Sequence, residues 1–280
     1  MPLLHALLLG LTQGLSEFLP ISSSGHLILV PWMFDWKEFT GPENADLNRT
    51  FDVALHIGTV VALLAYFRRD LRPLAAAGLR STRRRAVETS DERLFWLLML
   101  SAIPGVITGA LLDGLITEYL GAEWLIGLML VVFGIVLLLA DRSPAERPDD
   151  GFSTRDALLM GVAQAVALQP GVSRSGVTMS MARKLRFDRN ATARLSFLMS
   201  IPITGGAVAY KVGKLFVLDG GIPDGFTGAF ALGILTSGLS GFAAVAFLIK
   251  LLRTRTFAPF VTYRVVAGVA VVALAASSLR

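Results

Sequence analysis

The sequence has no cysteine and few charged residues. With no cysteine among 280 residues, the chain has no disulfide, no thiolate chemistry and no cysteine metal site. Charged residues make up 17% of the chain and hydrophobic residues 54%, whereas a soluble domain carries about 25% charge. The first residues also lack the basic start and the cleavage site of a signal peptide, so we expect them in the mature protein. The low share of charged residues and the high share of hydrophobic residues favour a membrane protein over a soluble domain.

Six stretches are long and apolar enough to approach the roughly 20 residues that cross a bilayer as helix. They are 51–67, 94–112, 124–140, 195–212, 226–249 and 259–279. Two further apolar stretches, 3–32 and 157–181, are broken by Pro, Gly and Ser. We interpret each as a re-entrant helical hairpin, with a kinked full span as the alternative, because irregular backbone is tolerated at membrane depth inside protein or beside a cavity. The expected fold is an all-α polytopic membrane protein with a single membrane domain, 1–280.

The chain contains an internal repeat at an offset of 151 positions. Without a gap, this offset aligns Gln13 with Gln164, Ser22 with Ser173, Ser24 with Ser175 and Gly25 with Gly176. Each half then holds one re-entrant hairpin and three transmembrane helices. Because three is odd, we expect the second half (152–280) to enter the membrane inverted relative to the first (1–140). Inverted repeats whose broken helices meet near the midplane are a known architecture of transporters.

Basic residues are distributed unevenly between the connecting segments. Of the 26 Lys and Arg, 19 lie in 68–93, 141–156, 183–194 and 250–256, and five lie in the connections on the opposite side. Because cytoplasmic loops are enriched in Lys and Arg, the four basic segments are predicted to be cytoplasmic and both termini to lie outside. This orientation explains the net charge of +5 without a nucleic-acid partner. The arginines of 68–93 are expected to contact lipid headgroups.

A polar cluster interrupts the first broken stretch. Gln13 and Glu17 lie four residues apart and share a helix face, and Pro20 is expected to end that helix. Ionisable groups at membrane depth are costly and usually functional. The Ser and Gly residues of 22–25 suit the start of the next helix, where free backbone N–H groups bind anions. A simple loop or helix cap is the alternative interpretation.

Three ionisable side chains carry the chemical hypothesis. Glu17 suits a general base, a metal ligand or a group that orients His26, and the alternative is a charge reaching the headgroups. His26 suits a nucleophile, a general acid or a ligand, and the alternative is a structural histidine. Arg174 can fork onto two phosphate oxygens, or form a structural ion pair with Glu17. His5 and His56 are interpreted as structural. Together the two hairpins supply the parts needed to hold and cleave a phosphate.

These motifs resemble those of a known family. The segments QGLSEFLPISSSGH (13–26) and PGVSRSG (170–176) closely resemble the bacterial undecaprenyl-diphosphate phosphatase family, also called bacitracin resistance protein, and SFLMSIP (196–202) and FAPFVTYR (257–264) agree with it. The resemblance covers essentially the whole chain. It implies an enzyme of the bacterial plasma membrane that removes the terminal phosphate from a C55 polyprenyl diphosphate. This reaction regenerates the carrier lipid of cell-wall synthesis, with the active site on the outer side.

The resemblance also implies residue roles. The expected catalytic residues are Glu17, Ser23, His26 and Arg174, and the expected phosphate contacts are Ser22, Ser24, Gly25, Ser173, Ser175 and Gly176. A divalent cation, Mg²⁺ or Ca²⁺, is expected on Gln13 and Glu17 because these ligands are oxygens. Position 13 is Gln rather than Glu, which weakens any scheme with two carboxylates on one cation. The nucleophile stays open between Ser23, His26 and water.

Two other classes of function compete with the phosphatase. A transporter, such as a lipid flippase, would use opposed hairpins for alternating access and the same groups to bind a travelling headgroup. A structural scaffold would leave the buried ionisable groups unexplained. Phosphate release in detergent separates enzyme from transporter, since it needs no second compartment. The expected partners are the lipid substrate and membrane lipids, and an oligomer is possible.

Overall fold

The protein is all-α in the part of the chain that the structure describes. The computed structural model describes residues 1–36, 45–217, 221–222 and 225–277, without the side chains of 45, 46, 113–119 and 216. Within these residues the only β-pairing is an isolated bridge between Arg147 and Phe187. The helices are α1 (Leu3–Phe18), α2 (Ser23–Met33), α3 (Ala45–Tyr66), α4 (Arg68–Arg84), α5 (Ser90–Tyr119), α6 (Glu123–Asp141), α7 (Thr154–Val166), α8 (Arg174–Lys184), α9 (Arg189–Val217), α10 (Thr227–Leu252) and α11 (Ala258–Ala276). The predicted fold class is confirmed.

Six helices of the described part are long and apolar enough to cross a membrane, as predicted. Their apolar segments are Leu47–Tyr66, Ser90–Leu112, Glu123–Asp141, Arg189–Leu215, Thr227–Leu252 and Ala258–Ala276. Mean hydropathy in their best windows runs from 1.2 to 2.5, and each segment overlaps one predicted stretch. The helices extend beyond the predicted apolar runs at most ends, because polar residues such as Asp141 continue a helix past the hydrocarbon layer.

The two interrupted stretches each form a pair of short helices. α1 and α2 have 16 and 11 residues, and α7 and α8 have 13 and 11. At 1.5 Å per residue, α1 is about 24 Å long, which is shorter than the roughly 30 Å of a hydrocarbon core. α1 packs against α2 and α7 against α8, and Pro20 follows the end of α1 as predicted. These lengths suit re-entrant hairpins, and their depth in the bilayer stays a prediction.

Helix boundaries and packing repeat at the offset found in the sequence. Both ends of α2 and α8 are 151 positions apart, and so are the first residues of α1 and α7. α1 packs against α10, the second span of the other half, and α7 packs against α5, the second span of the first half. α3 contacts α10 and α9 contacts α5 in the same manner. The inverted orientation of the two halves stays a prediction.

Glycines allow the hairpin helices to approach their partner spans closely. A Cβ atom on Gly10 of α1 would collide with Thr236 of α10, and one on Gly161 of α7 would collide with the backbone carbonyl of Ser101 in α5. Gly10 and Gly161 are also 151 positions apart. Each hairpin is therefore seated against a span by a glycine at the equivalent position.

The arginine-rich segment 68–93 contains a helix that sequence reasoning did not identify. α4 buries Leu74, Ala77 and Ser81 and exposes most of its arginines. It packs on α5, where buried Glu92 accepts a 2.6 Å bond from Arg84. α4 has too few apolar residues, in runs that are too short, to be recognised from the sequence as a transmembrane span. They suffice for a helix that packs on the protein surface. Lipid-headgroup contact by its exposed arginines stays a prediction.

Candidate active site

The turns of the two hairpins meet and are bonded to each other. Ser22 and Ser173, at equivalent positions, have φ values of 81° and 73°, a left-handed conformation that residues other than glycine rarely adopt. The Ser22 hydroxyl accepts a 3.0 Å bond from the Gly171 backbone N–H, and the Ser175 hydroxyl donates to the Leu19 carbonyl at 3.1 Å. Each turn thus fixes the backbone of the other.

Arg264 of α11 is hydrogen-bonded to the backbone of both hairpin turns. Its guanidinium is fully buried and donates to the carbonyls of Pro20 at 3.1 Å, Gly171 at 2.9 Å and Val172 at 3.0 Å. Its Nε also donates to the Leu130 carbonyl of α6 at 3.1 Å. A buried charge is tolerated only when its hydrogen-bonding capacity is satisfied, and carbonyl oxygens satisfy it here. Arg264 lies within the predicted apolar stretch 259–279, and sequence reasoning did not assign it this role.

The meeting point brings together a carboxylate, a hydroxyl and a guanidinium. Glu17 of α1 accepts a 2.7 Å bond on Oε1 from Nη2 of Arg174 in α8. Its Oε2 accepts a 2.5 Å bond from the Ser23 hydroxyl at the start of α2 and a 3.3 Å bond from Nε2 of Gln13. The Glu17 side chain is only 7% exposed and that of Arg174 15%. The predicted apposition of Glu17 and Arg174 is therefore present, and it includes Ser23.

Two buried polar atoms beside this cluster have no hydrogen-bond partner. They are Nη1 of Arg174 and Oε1 of Gln13. A buried donor or acceptor without a partner is destabilising, so such atoms are available to a polar ligand. The cluster borders a narrow cleft between α1, α3, α8 and α9, in which Thr59 and Ser200 lie among apolar side chains. The volume of this cleft is about 10 Å³, roughly the space of one water molecule. An anion can complete the bonding of Arg174 once the cleft widens to admit it.

His26 is hydrogen-bonded to other groups than Glu17. Its Nδ1 lies 2.7 Å from the Ser22 carbonyl and its Nε2 lies 2.6 Å from the hydroxyl of Tyr263. Because a carbonyl only accepts, Nδ1 carries the proton, and Nε2 accepts from the tyrosine hydroxyl. The two rings also stack, with centroids 5.6 Å apart. Both nitrogens of His26 are thus engaged, and Glu17 does not orient this ring.

A histidine that sequence reasoning interpreted as structural lies next to the carboxylate. Nε2 of His56 in α3 is 3.8 Å from Oε2 of Glu17. Asp52, His56 and Thr59 follow a helical spacing within an apolar stretch, so all three lie near one face of α3. This polar face is the signal that could have identified His56.

The predicted phosphate contacts have different structural roles, and two of the six, Ser22 and Ser175, form hydrogen bonds between the hairpins. The Ser173 hydroxyl accepts a 3.1 Å bond from the Gly176 N–H and so caps α8. Ser22 gives no such cap to α2, which leaves the first amides of α2 available to an anion. Ser24 is exposed. A Cβ atom on Gly25 would lie 3.0 Å from Ile126 Cγ2, so a larger residue here would require Ile126 to shift. Their role as phosphate contacts stays a prediction.

The side chains of Gln13 and Glu17, the predicted metal ligands, are bonded to each other and to their neighbours. Gln13 directs its N–H group towards Glu17 and not its carbonyl oxygen, and both oxygens of Glu17 already accept bonds from Arg174 and Ser23. Among the described side chains there is no group of three His, Cys, Asp or Glu suited to a cation. Mg²⁺ and Ca²⁺ need several oxygen ligands. Gln13 and Glu17 alone therefore supply too few ligands for a divalent cation, although Oε1 of Gln13 is without a partner, and the predicted cation on these two residues stays a prediction.

Comparisons with known proteins agree along the whole chain. The family model described as Bacitracin resistance protein BacA matches residues 6–270. The chain is 45% identical over 276 residues to an undecaprenyl-diphosphatase of Pelobacter propionicus, covering 98% of this chain and 97% of the relative. It is 45% identical over 278 residues to an undecaprenyl-diphosphatase of Pelotomaculum thermopropionicum, covering 99% and 98%. An undecaprenyl-diphosphatase of Nocardioides sp. is 40% identical over 282 residues, covering 99% and 97%.

Proposed function

Because the chain belongs to the bacitracin resistance protein BacA family, we propose that it hydrolyses undecaprenyl diphosphate to undecaprenyl phosphate and inorganic phosphate. The product is the carrier lipid of cell-wall synthesis, and its regeneration confers resistance to bacitracin. One observation carries this proposal at the level of chemistry. The Ser23 hydroxyl is bonded to Glu17, and the same carboxylate holds Arg174 with one N–H group still unpaired.

In the first step the Ser23 oxygen attacks the terminal phosphorus. Glu17 takes the hydroxyl proton across the existing 2.5 Å bond, which makes it the general base. The bond from the terminal phosphorus to the bridging oxygen breaks, its electron pair goes to that oxygen, and undecaprenyl phosphate leaves. Ser23 is favoured over His26 as nucleophile because both ring nitrogens of His26 are engaged.

In the second step water attacks the phosphoserine. Glu17 first gives up its proton to solvent or to the departing phosphate, and as a carboxylate it then accepts a proton from the attacking water. The bond between phosphorus and the Ser23 oxygen breaks, its electron pair goes to the serine oxygen, which takes the proton from Glu17, and inorganic phosphate leaves. Arg174 and the first amides of α2 stabilise the charge on the phosphoryl oxygens in both steps, which is where most catalysis of phosphoryl transfer arises.

The lining of the cleft, and not its small volume, suits a lipid whose head is charged and whose tail is apolar. Arg174, Thr59 and Ser200 line its polar part, and Phe18 and Leu63 line its apolar part. We propose that the diphosphate binds at the polar part while the prenyl chain stays in the bilayer between α3 and α9. In the orientation predicted by the basic segments, both termini are outside. The family resemblance favours substrate entry from the outer side.

A divalent cation is part of this proposal only as a companion of the substrate. Diphosphates carry Mg²⁺ or Ca²⁺ on their own oxygens, and such cations commonly bind through substrate phosphates and few protein groups. Phosphate release should then fall in the presence of a chelator and return on adding either cation. Full release in excess chelator would contradict this part of the proposal.

The experiment that tests the function uses purified protein in detergent and a C55 or C15 prenyl diphosphate labelled at the terminal phosphate. We expect release of inorganic phosphate and, in quenched samples, a protein-bound label that survives acid and is lost in alkali, as phosphoserine behaves. An acid-labile label would assign the nucleophile to His26 instead. Absence of release would contradict the enzyme and favour the transporter, because transport needs a second compartment.

A further inference from the structure

The carboxylate of Glu17 needs fixed donors on both oxygens. Rotation about its terminal torsion is broad, so the rotamer alone does not decide which oxygen faces Ser23. Arg174 holds Oε1. On Oε2, the Gln13 amide contributes only a 3.3 Å bond, and Ser23 is the group that has to lose its proton. The side of Oε2 that faces α3 therefore matters for catalysis.

His56 occupies that side and is held there by a rigid helix. Its Nδ1 lies 2.7 Å from the Asp52 carbonyl of the preceding turn, and its Nε2 points at Oε2 of Glu17 from 3.8 Å. α3 is pinned against α10, because the Ser237 hydroxyl donates to the Leu55 carbonyl at 2.8 Å and a Cβ atom on Gly58 would collide with the same serine. The imidazole therefore has a defined place beside the carboxylate.

Both ring nitrogens of His56 face oxygens that only accept hydrogen bonds, so the ring donates to both only when each nitrogen carries a hydrogen. The bond to Asp52 anchors the ring to its own helix, so Nε2 is not needed to hold the side chain in place. The side chain is 31% exposed, and it precedes by about one helical turn Thr59, which lines the cleft. Catalytic hydrogen bonds are often long without substrate and shorten in the complex, and 3.8 Å is within reach of such a shortening.

We propose that His56 is a positioning residue of this site, which holds Oε2 of Glu17 from the α3 side so that the carboxylate stays aligned with Ser23. This inference rests on the proposed phosphatase function. His56 acts through Glu17 and does not itself contact the transferred phosphoryl group.

Two substitutions that differ by one methylene group test the proposal. The amide nitrogen of Gln at position 56 reaches the place of Nε2 and can donate to Glu17, whereas that of Asn reaches only the place of Nδ1. We expect His56→Gln to keep kcat within about fivefold of the unmodified protein, since one donor replaces another. We expect His56→Asn to lower kcat about 10²-fold with little change in KM, as misalignment of a catalytic group does.

The assay is phosphate release from a C15 prenyl diphosphate, with the thermal unfolding midpoint measured for each variant. The matched control is His5→Asn, which makes the same change 12 residues before Glu17 on α1, about 18 Å away along the helix, and should keep full kcat. Full kcat in His56→Asn, or an equal loss in His56→Gln and His56→Asn, would overturn the positioning role. Failure of the unmodified protein to release phosphate would instead overturn the proposed function.

Discussion

At the scale of single residues, two buried arginines have opposite roles. Each guanidinium nitrogen of Arg264 donates to a backbone carbonyl of a hairpin turn or of α6, so this arginine has a structural role. Arg174 bonds Glu17 through one nitrogen and leaves Nη1 without a partner. Arg264 stabilises the hairpin turns, and Arg174 has an unpaired donor that a ligand can bind.

The structural role of Arg264 predicts a loss of stability. Lysine cannot reach the carbonyls of Pro20, Gly171 and Leu130 together, so Arg264→Lys leaves some of them unpaired at about 1–3 kcal/mol each. We expect a lower thermal unfolding midpoint in circular dichroism and lost phosphate release. Arg253→Lys, at an exposed position after α10, is the control and should change neither. An unchanged thermal unfolding midpoint in Arg264→Lys would contradict the proposed role of Arg264 in stabilising the two turns.

Sequence reasoning located part of the site and missed the rest for a physical reason. Glu17 and Arg174 could be found because each is an ionisable group inside a broken apolar stretch. Tyr263 lies on a regular span, where one polar residue is also compatible with a structural role. The polar face of α3 could have marked His56 as a candidate, but not its contact with Glu17, because the two residues come from separate segments. No local sequence pattern indicates that α3 and α11 flank the hairpin turns. Only the tertiary packing reveals it.

At the scale of helices, the packing of each hairpin against a span depends on glycine. Gly10 and Gly161 occupy equivalent positions in α1 and α7, and each faces a neighbouring helix without room for a Cβ atom. The helices themselves were predicted because apolar length and interrupting Pro, Gly and Ser are local features. α4 was missed because its apolar face is short and surrounded by arginines.

This close packing predicts equivalent effects in the two halves. Gly10→Ala and Gly161→Ala should each destabilise the protein by about 1–3 kcal/mol, the usual effect of overpacking. Unfolding in denaturing detergent measures the change. Gly213→Ala in α9 is the matched control, since a Cβ atom there meets nothing within 4 Å, and it should be neutral or stabilising. Equal stability of all three variants would show that the glycines are not needed at these contacts.

At the scale of the whole molecule, the distribution of basic residues predicts the orientation. The absence of cysteine allows single cysteines to be introduced without removing any. Thr82→Cys in α4 should react with a membrane-impermeant maleimide only after the cells are opened, and Ser277→Cys after α11 should react in intact cells. Labelling of both from the same side would contradict the predicted topology. Retained activity in each variant is the check that the fold is intact.

In the proposed mechanism, two similar halves form one catalytic centre. The hairpins meet through equivalent turns, yet only the first supplies the carboxylate and the proposed attacking hydroxyl, while the second supplies the guanidinium. This division explains why the sequence repeat is partial. The parts that build the turns recur, whereas the groups that perform chemistry differ between the halves.

The most direct test of the central claim is phosphate release by purified Ser23→Ala. The account predicts that the unmodified protein releases inorganic phosphate from a prenyl diphosphate. Removal of the nucleophile should lower kcat by at least about 10³-fold, with an unchanged unfolding midpoint. Ser277→Ala, the same change after α11, should be fully active. Unchanged turnover in Ser23→Ala would contradict the account.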